Sequence, residues 1–247
     1  MMATYRPVKK WLIPLMAIII GGSAGFYFFP SAHEYHYAQW MQMIEEAKEL
    51  EYKVEGKYSF NDQPSFTSEG IWSEEKSFFT IFSERTDYFF HIFIEENVMF
   101  VDRQGDWRQA SRPHQVFAEL SPLDHPFNWT VDMLSDAAKV NYEEDGNQKK
   151  YEAIFHEFHH VDVMGYELRE QRDTRLEMVF EDNKLSSLII TIKPVRHDEI
   201  KDNDKYPEVM EHLIFFEVNE KQEIRIAPEY AHESAEMESL YLNHFEP

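Results

Sequence analysis

Two segments of this chain, Phe78-Phe79-Thr80-Ile81-Phe82 and Tyr88-Phe89-Phe90-His91-Ile92-Phe93-Ile94, are apolar at almost every position and stand only five residues apart. Strand-length runs joined this tightly are antiparallel neighbours, because a parallel return needs a crossover of about a dozen residues. An antiparallel sheet with one wet face alternates apolar and polar side chains. These segments do not alternate, so their sheet must be covered on both sides. The cover could be helices, a partner, the membrane, a bound apolar ligand or an ordinary two-sided core.

The flanking segments extend the same sheet. Val54, Gly56, Tyr58 and Phe60 alternate with Lys53, Glu55, Lys57 and Ser59, and Asn61-Asp62-Gln63-Pro64 makes a turn. Strands are expected at 66–72, 98–102 and 107–110, with Arg103-Gln104-Gly105-Asp106 as a hairpin loop. Later strands are expected at 140–143, 150–158, 175–181, 185–193, 211–218 and 223–226, with Asp182-Asn183 as a second tight turn. Helical spacing of Tyr37, Trp40, Met41, Ile44 and Ala47 predicts a helix over 33–50. Two short amphipathic helices are expected at 113–120 and 129–139, and a last one at 229–242. No internal repeat or low-complexity linker divides 30–247, which therefore reads as a single domain.

Ahead of this domain, 11–29 is an almost unbroken apolar run of nineteen residues without a charge. At helical rise it spans roughly 28 Å, close to the ~30 Å hydrocarbon core of a bilayer. Arg6, Lys9 and Lys10 lie only on its N-terminal side. The positive-inside rule then makes 1–10 a cytoplasmic stub, 11–29 a single transmembrane anchor and 30–247 an extracellular domain in the cell envelope. The run ends in Phe26-Tyr27-Phe28-Phe29-Pro30, bulky residues where a signal peptidase needs small ones, which favours an uncleaved signal anchor. The chain has no cysteine, so neither a lipidated cysteine nor a disulfide can hold the domain.

The three basic residues of the N-terminal run leave 21 Lys and Arg against 46 Asp and Glu in the rest. So acidic a surface repels nucleic acid and anionic lipid head groups, and no nucleic-acid partner is expected.

Chemistry-bearing motifs are few. His156-Glu157-Phe158-His159-His160 satisfies H-E-x-x-H, in which two histidines one helical turn apart hold zinc and the glutamate acts as base. That mechanism requires a helix, whereas Lys149 to Phe155 reads as a strand running into the motif. The expectation is a polar strand end, not a metal site. Gly-x-Ser-x-Gly is absent, as are cysteine and any phosphate-cradling glycine loop in a chain with eight glycines. No catalytic residue, cofactor or metal ligand is therefore assigned, and the domain is not read as an enzyme.

The order of elements has a familiar layout. A leading amphipathic helix precedes long antiparallel strands, then the Val98-Met99-Phe100-Val101-Asp102-Arg103-Gln104-Gly105-Asp106-Trp107 hairpin and a Pro- and Leu-containing helical insert. More strands follow, and the layout closes on Asn219-Glu220-Lys221-Gln222-Glu223-Ile224-Arg225-Ile226-Ala227-Pro228-Glu229. Over 34–232 this resembles the LolA/LppX/LprG-like superfamily of lipoprotein and lipid carriers, particularly its membrane-attached Gram-positive forms. The resemblance implies an α+β fold: a strongly curved antiparallel sheet, a half-barrel, closed by helices over an apolar cavity that takes acyl chains. Trp72, Phe79, Ile81, Phe90, Ile92 and Phe100 are then the candidate ligand-binding cavity walls. The chain departs from the diffusible or lipid-anchored members in its transmembrane leash, which suits local hand-over better than long-range transport. Its expected function is non-enzymatic binding of an acyl chain, a lipoprotein or another apolar segment near the bilayer. The alternatives are an envelope protein-interaction or sensor module with a filled core and a zinc hydrolase built on His156, Glu157 and His160.

Overall fold

The computed structural model describes residues 15–18, 31–61, 63–83, 89–103, 105–114, 116–156, 158–163, 166–195, 208–219 and 232–233. Of the expected membrane span only 15–18 is described, as helix, and the remainder of 11–29 lies outside the described residues. Among the described residues no helix is long and apolar enough to cross a membrane.

Thirteen strands form one sheet in the spatial order β13-β6-β5-β4-β3-β2-β1-β12-β11-β10-β8-β7, with β9 paired to β10. The first six run outward from the centre: β1 (Tyr52–Phe60), β2 (Gln63–Trp72), β3 (Lys76–Ser83), β4 (Phe89–Glu95), β5 (Val98–Arg103) and β6 (Asp106–Ser111). The others return from the far edge: β7 (Lys139–Asp145), β8 (Gln148–Phe155), β9 (Phe158–Val163), β10 (Tyr166–Glu181), β11 (Lys184–Pro194) and β12 (Met210–Val218). β12 pairs antiparallel with β1 and joins the two runs. Among the described residues the edges, β7 and the short β13 (His232–Glu233), do not pair with one another, so the described sheet is open, as a half-barrel is.

Tight turns set the register. Asp182 and Asn183 both adopt left-handed backbone (φ 50° and 64°), as a two-residue hairpin between right-twisted strands requires. At the β1–β2 turn Asn61 is also left-handed, and its Oδ1 accepts hydrogen bonds from the Glu208 and Val209 amides at 2.8 and 3.0 Å. That contact pins the entry to β12 beside β1.

One sheet face carries the main core. Across β1–β2–β3–β4–β5, Val54, Gly70, Phe79, Ile92 and Val101 stand in one row, and Tyr52, Trp72, Ser77, Ile94 and Met99 in the next. On the other side Ile214, Leu188, Met178 and Tyr151 continue the face across β12, β11, β10 and β8. Two covers close it. Helix α1 (Ala32–Lys48) begins with a capping box between Ser31 and Glu34 and buries Trp40, Met43, Ile44 and Ala47. Trp40 stacks on Tyr151 at 5.5 Å and donates its indole N–H to Met178 Sδ at 3.1 Å, while His33 Nδ1 accepts from the Val140 amide at 3.0 Å. The second cover is the insert 112–138, which carries the chain from β6 at one edge to β7 at the other. It holds α2 (Val116–Leu120) and α3 (Pro126–Leu134). Pro126 opens α3, where its missing amide hydrogen costs nothing, so this helix starts and stops earlier than the 129–139 expected.

The two-sided apolar strands are thus explained. Phe79, Ile81, Phe90 and Ile92 face the covers. On the opposite, outward face Ile71 and Phe93 are buried beneath Phe78, Phe100 and Trp107, an apolar stripe that takes one side chain from each of β2 to β6. Phe93 and Phe100 rings lie 6.0 Å apart, so neighbouring aromatics supply much of their own cover.

Two expectations need correction. The strand expected at 150–158 stops at Phe155, β9 follows at Phe158–Val163, and β10 begins nine residues before the expected 175. The helix expected at 229–242 is not formed at His232–Glu233, which instead pairs in parallel with Arg108 and Gln109 on the otherwise open edge of β6; pairing satisfies edge backbone groups that a helix would leave bare. The strand expected at 223–226 and the rest of 229–242 lie outside the described residues.

Gly70 faces the closest approach of β2 to β3. A Cβ there would come within 2.8 Å of Phe79 Cα and nearer still to the Phe78 carbonyl oxygen. Gly70→Ala should therefore destabilise the domain by about 1–3 kcal/mol, since backbone cannot step aside. Gly56→Ala, whose Cβ would meet mainly the Ser68 side chain, should cost less. Urea denaturation of both variants checks the order.

Candidate functional site

The candidate site is the contact zone between the inward face and the insert. Phe127 of α3 packs against Trp72 at 4.8 Å, Tyr52 at 6.1 Å and Phe216 at 6.2 Å, and so sits over β1, β2 and β12 at the middle of the sheet. Val116, Phe117, Leu120, Leu123, Met133 and Leu134 complete the apolar underside of the insert. At its ends the Arg112 amide donates to the Asn97 carbonyl at 2.9 Å and the Ala138 amide to the Ile154 carbonyl at 3.0 Å. Arg112 and Asp124, both within the insert, pair at 2.6 Å, and the Asp124 carbonyl accepts the Trp72 indole N–H at 3.2 Å. Arg112 also lies over the Phe117 ring, 4.2 Å from its centroid. Asp124 is buried while Arg112 remains about one-third exposed. Beside this pair, burial holds the His125 imidazole below its ordinary pKa.

Of the six wall residues expected from sequence, Trp72, Phe79, Ile81, Phe90 and Ile92 all belong to the inward cluster. Phe100 does not. It pairs with Phe93 and Gln109 on the outward face and belongs to the stripe there. Residues 98–101 are apolar at both parities, and register turns Met99 and Val101 inward instead.

Gly56, Tyr58, Phe66, Ser68, Ile81, Leu123 and His212 enclose about 10 Å³, the room of one water. A larger cleft of about 600 Å³ opens where β1, β10, β11 and β12 end. Lys53, Glu181, Asp182, Lys184 and Glu217 form its rim, and its lining includes Leu185 and Phe216, two members of the interior cluster. A cleft of that volume lies in the range of ligand pockets, and these two side chains place its floor next to the Tyr52–Phe127–Phe216 contact.

Polar atoms in the apolar interior were not legible beforehand, because the strands that supply them are far apart in sequence. His212 on β12 is 3 % exposed, its Nδ1 has no hydrogen-bond partner among the described residues, and burial holds its pKa down at about 3. Gln171 and Thr174 are likewise buried with unpartnered side-chain atoms, where β10 is bulged around Asp173.

The H-E-x-x-H segment lacks the helix its chemistry requires. His156 follows the end of β8 and is exposed, Glu157 lies outside the described residues, and 158–160 is β-strand. Positions 156 and 160 thus do not share a helical face. Among the described residues no group of three or more His, Asp or Glu side chains is placed to hold a metal ion.

The buried imidazole has a measurable consequence. In the unfolded chain it takes a proton near pH 6.5; in the fold it stays neutral down to about pH 3. Unfolding between those values takes up a proton, so stability is unpenalised above pH 6.5 and falls as the pH drops through this window, by up to about 1.4 kcal/mol per pH unit. His212→Leu should remove about 2 kcal/mol of the loss between pH 7 and pH 5, as read from urea midpoints of the two proteins. Carboxylate contributions are common to both and cancel.

No family model matches the chain, and no curated protein does. Solved structures do. The chain is similar to the Mycobacterium tuberculosis lipoprotein LppX, with 8% identity and a TM-score of 0.46 over 76% of this chain and 97% of that one. It is similar to LprF from Mycobacterium bovis, with 8% identity and a TM-score of 0.39 over the same shares of the two chains. A LolA superfamily protein from Nitrosomonas europaea is 10% identical with a TM-score of 0.32, over 76% of this chain and 94% of its own.

Proposed function

We propose that this chain is a non-enzymatic, membrane-anchored extracellular binding domain that holds an acyl chain of a lipid or lipoprotein, or another apolar segment, between the inward sheet face and the insert. One observation carries the reading. An open sheet, apolar on its inward face from β5 to β8, is closed over its middle by a short helical segment. The Trp72 indole hydrogen bond and apolar contact fasten the middle of that segment to the sheet, and backbone hydrogen bonds from Arg112 to Asn97 and from Ala138 to Ile154 hold its ends. Lifting the insert would bare a continuous apolar floor that includes Trp72, Phe79, Ile81, Phe90 and Ile92. The cleft beside Leu185 and Phe216 is the way in.

For a chain presented from water, each methylene withdrawn contributes ~0.8 kcal/mol, so a dozen contribute about 10 kcal/mol, which offsets packing given up when the insert moves; a chain taken from the bilayer core gains little from this source. In this proposal 11–29 anchors the chain with 1–10 in the cytoplasm and 30–247 outside, and the ligand is collected and released within reach of the bilayer. The strong acidity of the exported part argues against docking on anionic lipid or nucleic acid.

A second reading has its own support. The space enclosed by Tyr58, Ile81, Leu123 and His212 is about 10 Å³, which favours an envelope interaction or sensor module whose core is filled there.

The full-length protein, purified from its host membrane, distinguishes the two. Native mass spectrometry should show co-purified lipid, and the protein should take up a fluorescent fatty acid. Neither lipid nor uptake would remove the binding reading and leave the filled-core module. The role of the insert is tested separately. Arg112→Ala leaves Asp124 buried without its cation and should destabilise the domain by about 1–3 kcal/mol. The same variant should take up the fluorescent fatty acid faster than wild type in stopped-flow measurements, because the cover is loosened while the floor is untouched.

A further inference from the structure

The inward face is interrupted by a polar spot at its centre. Ser68 on β2 and His212 on β12 flank Gly56 on β1, with Ser68 Oγ filling the place a Gly56 side chain would take and His212 Nε2 3.4 Å from it. The spot's surroundings are mostly apolar: Ile214 stands across from Gly56 on β12, Val54 and Phe216 form the next row, Ile190 and Leu176 continue the row of His212, and Tyr58 stands between His212 and Phe66. Ser68 and His212 are buried, at 7 % and 3 % exposure, and His212 Nδ1 has no hydrogen-bond partner among the described residues. Both line the small enclosed space under the insert, and the insert's contribution to that space is Leu123. An unpartnered buried imidazole nitrogen destabilises a fold, and leucine at 212 would avoid the cost. Packing does not ask for histidine here.

We propose that Ser68 and His212 are the point at which the bound chain's polar group is recognised, so that the ligand is an acyl chain carrying an uncharged oxygen function, an ester or a hydroxyl. This rests on the binding reading above and names the ligand class for the same site. With Leu123 drawn aside, the enclosed space becomes continuous with the floor, and one ligand oxygen meets a hydroxyl and an imidazole, each able to donate or accept. Gly56 keeps the approach open, since any side chain there would occupy the ground shared by Ser68 and His212. Charge decides between oxygen classes. Among the described residues no charged side chain lines the space, and burial keeps the imidazole neutral. An ionised carboxylate or phosphate would be buried without a counter-ion there, whereas an ester carbonyl or a hydroxyl exchanges one set of hydrogen bonds for another.

The test compares three sixteen-carbon probes on the full-length chain in lipid nanodiscs: radiolabelled hexadecane, methyl palmitate and palmitate at pH 8, each delivered from cyclodextrin and corrected for empty nanodiscs. Wild type should bind methyl palmitate about ten-fold more tightly than hexadecane, the worth of one good hydrogen bond, and more tightly than palmitate. His212→Leu and Ser68→Ala should each bring the methyl palmitate to hexadecane ratio close to one. Ser68→Ala serves if His212→Leu does not fold. Equal binding of hexadecane and methyl palmitate by wild type overturns this inference and leaves the acyl-binding reading standing. So does a preference that survives in the variants, or a preference for palmitate. Binding of no probe overturns both.

Discussion

Everything in this fold follows from the need to cover the inward face of an open sheet. A sheet of thirteen strands that does not close on itself presents a broad apolar surface, and this chain has no disulfide with which to brace it. Burial alone holds the covers down. The two covers are not equivalent. Helix α1 buries Trp40, Ile44 and Ala47 completely and locks onto β7, β8 and β10 through Trp40, Met178, Tyr151 and His33. The insert has shorter helices, and its ion pair, Arg112 with Asp124, ties it to itself. Between the backbone bonds at its ends, Arg112 to Asn97 and Ala138 to Ile154, the insert meets the sheet through apolar contact and the Trp72 indole.

That asymmetry gives Asp124 a double role. Its carboxylate keeps the insert folded through Arg112, and its carbonyl fastens the insert to Trp72 on the sheet. The insert can therefore leave the sheet as a preformed piece, without the ordering entropy of a disordered loop each time it returns. A binding surface closed by such a piece is filled by the protein's own side chains when unoccupied. The small enclosed volume and the apolar continuity of the floor are then two aspects of one arrangement.

Much of the sheet was legible because its strands carry local signals: alternation at 52–60, left-handed residues at Asp182-Asn183, and short turns that dictate antiparallel pairing. Three things were not. Phe100 could not be assigned a face, since Val98-Met99-Phe100-Val101 is apolar at both parities and only pairing with Ile92 and Ile94 decides. The strands over 158–175 were missed because His159, His160, Glu167, Arg169, Glu170, Arg172 and Asp173 show no apolar rhythm, and pairing within the sheet holds them. The grouping of Gly56, Ser68 and His212 depends on the pairing of β1 with both β2 and β12, whose residues stand far apart in the chain. Local pattern reports elements; long-range register composes the site.

The proposed anchor bears on the same asymmetry. Helix α1 begins at Ala32, directly after the run proposed to span the bilayer, so the firmly packed cover is the one tied to the membrane. The insert is not. A hydrocarbon chain already dissolved in a bilayer gains little by moving to another apolar place, because it has already left water on entering the lipid. Selection must then come from what the bilayer core lacks, hydrogen-bond partners at depth, and from how readily the site opens. In the proposal, a polar spot in an apolar floor, under the cover that is not tied to the membrane, meets both conditions in one place.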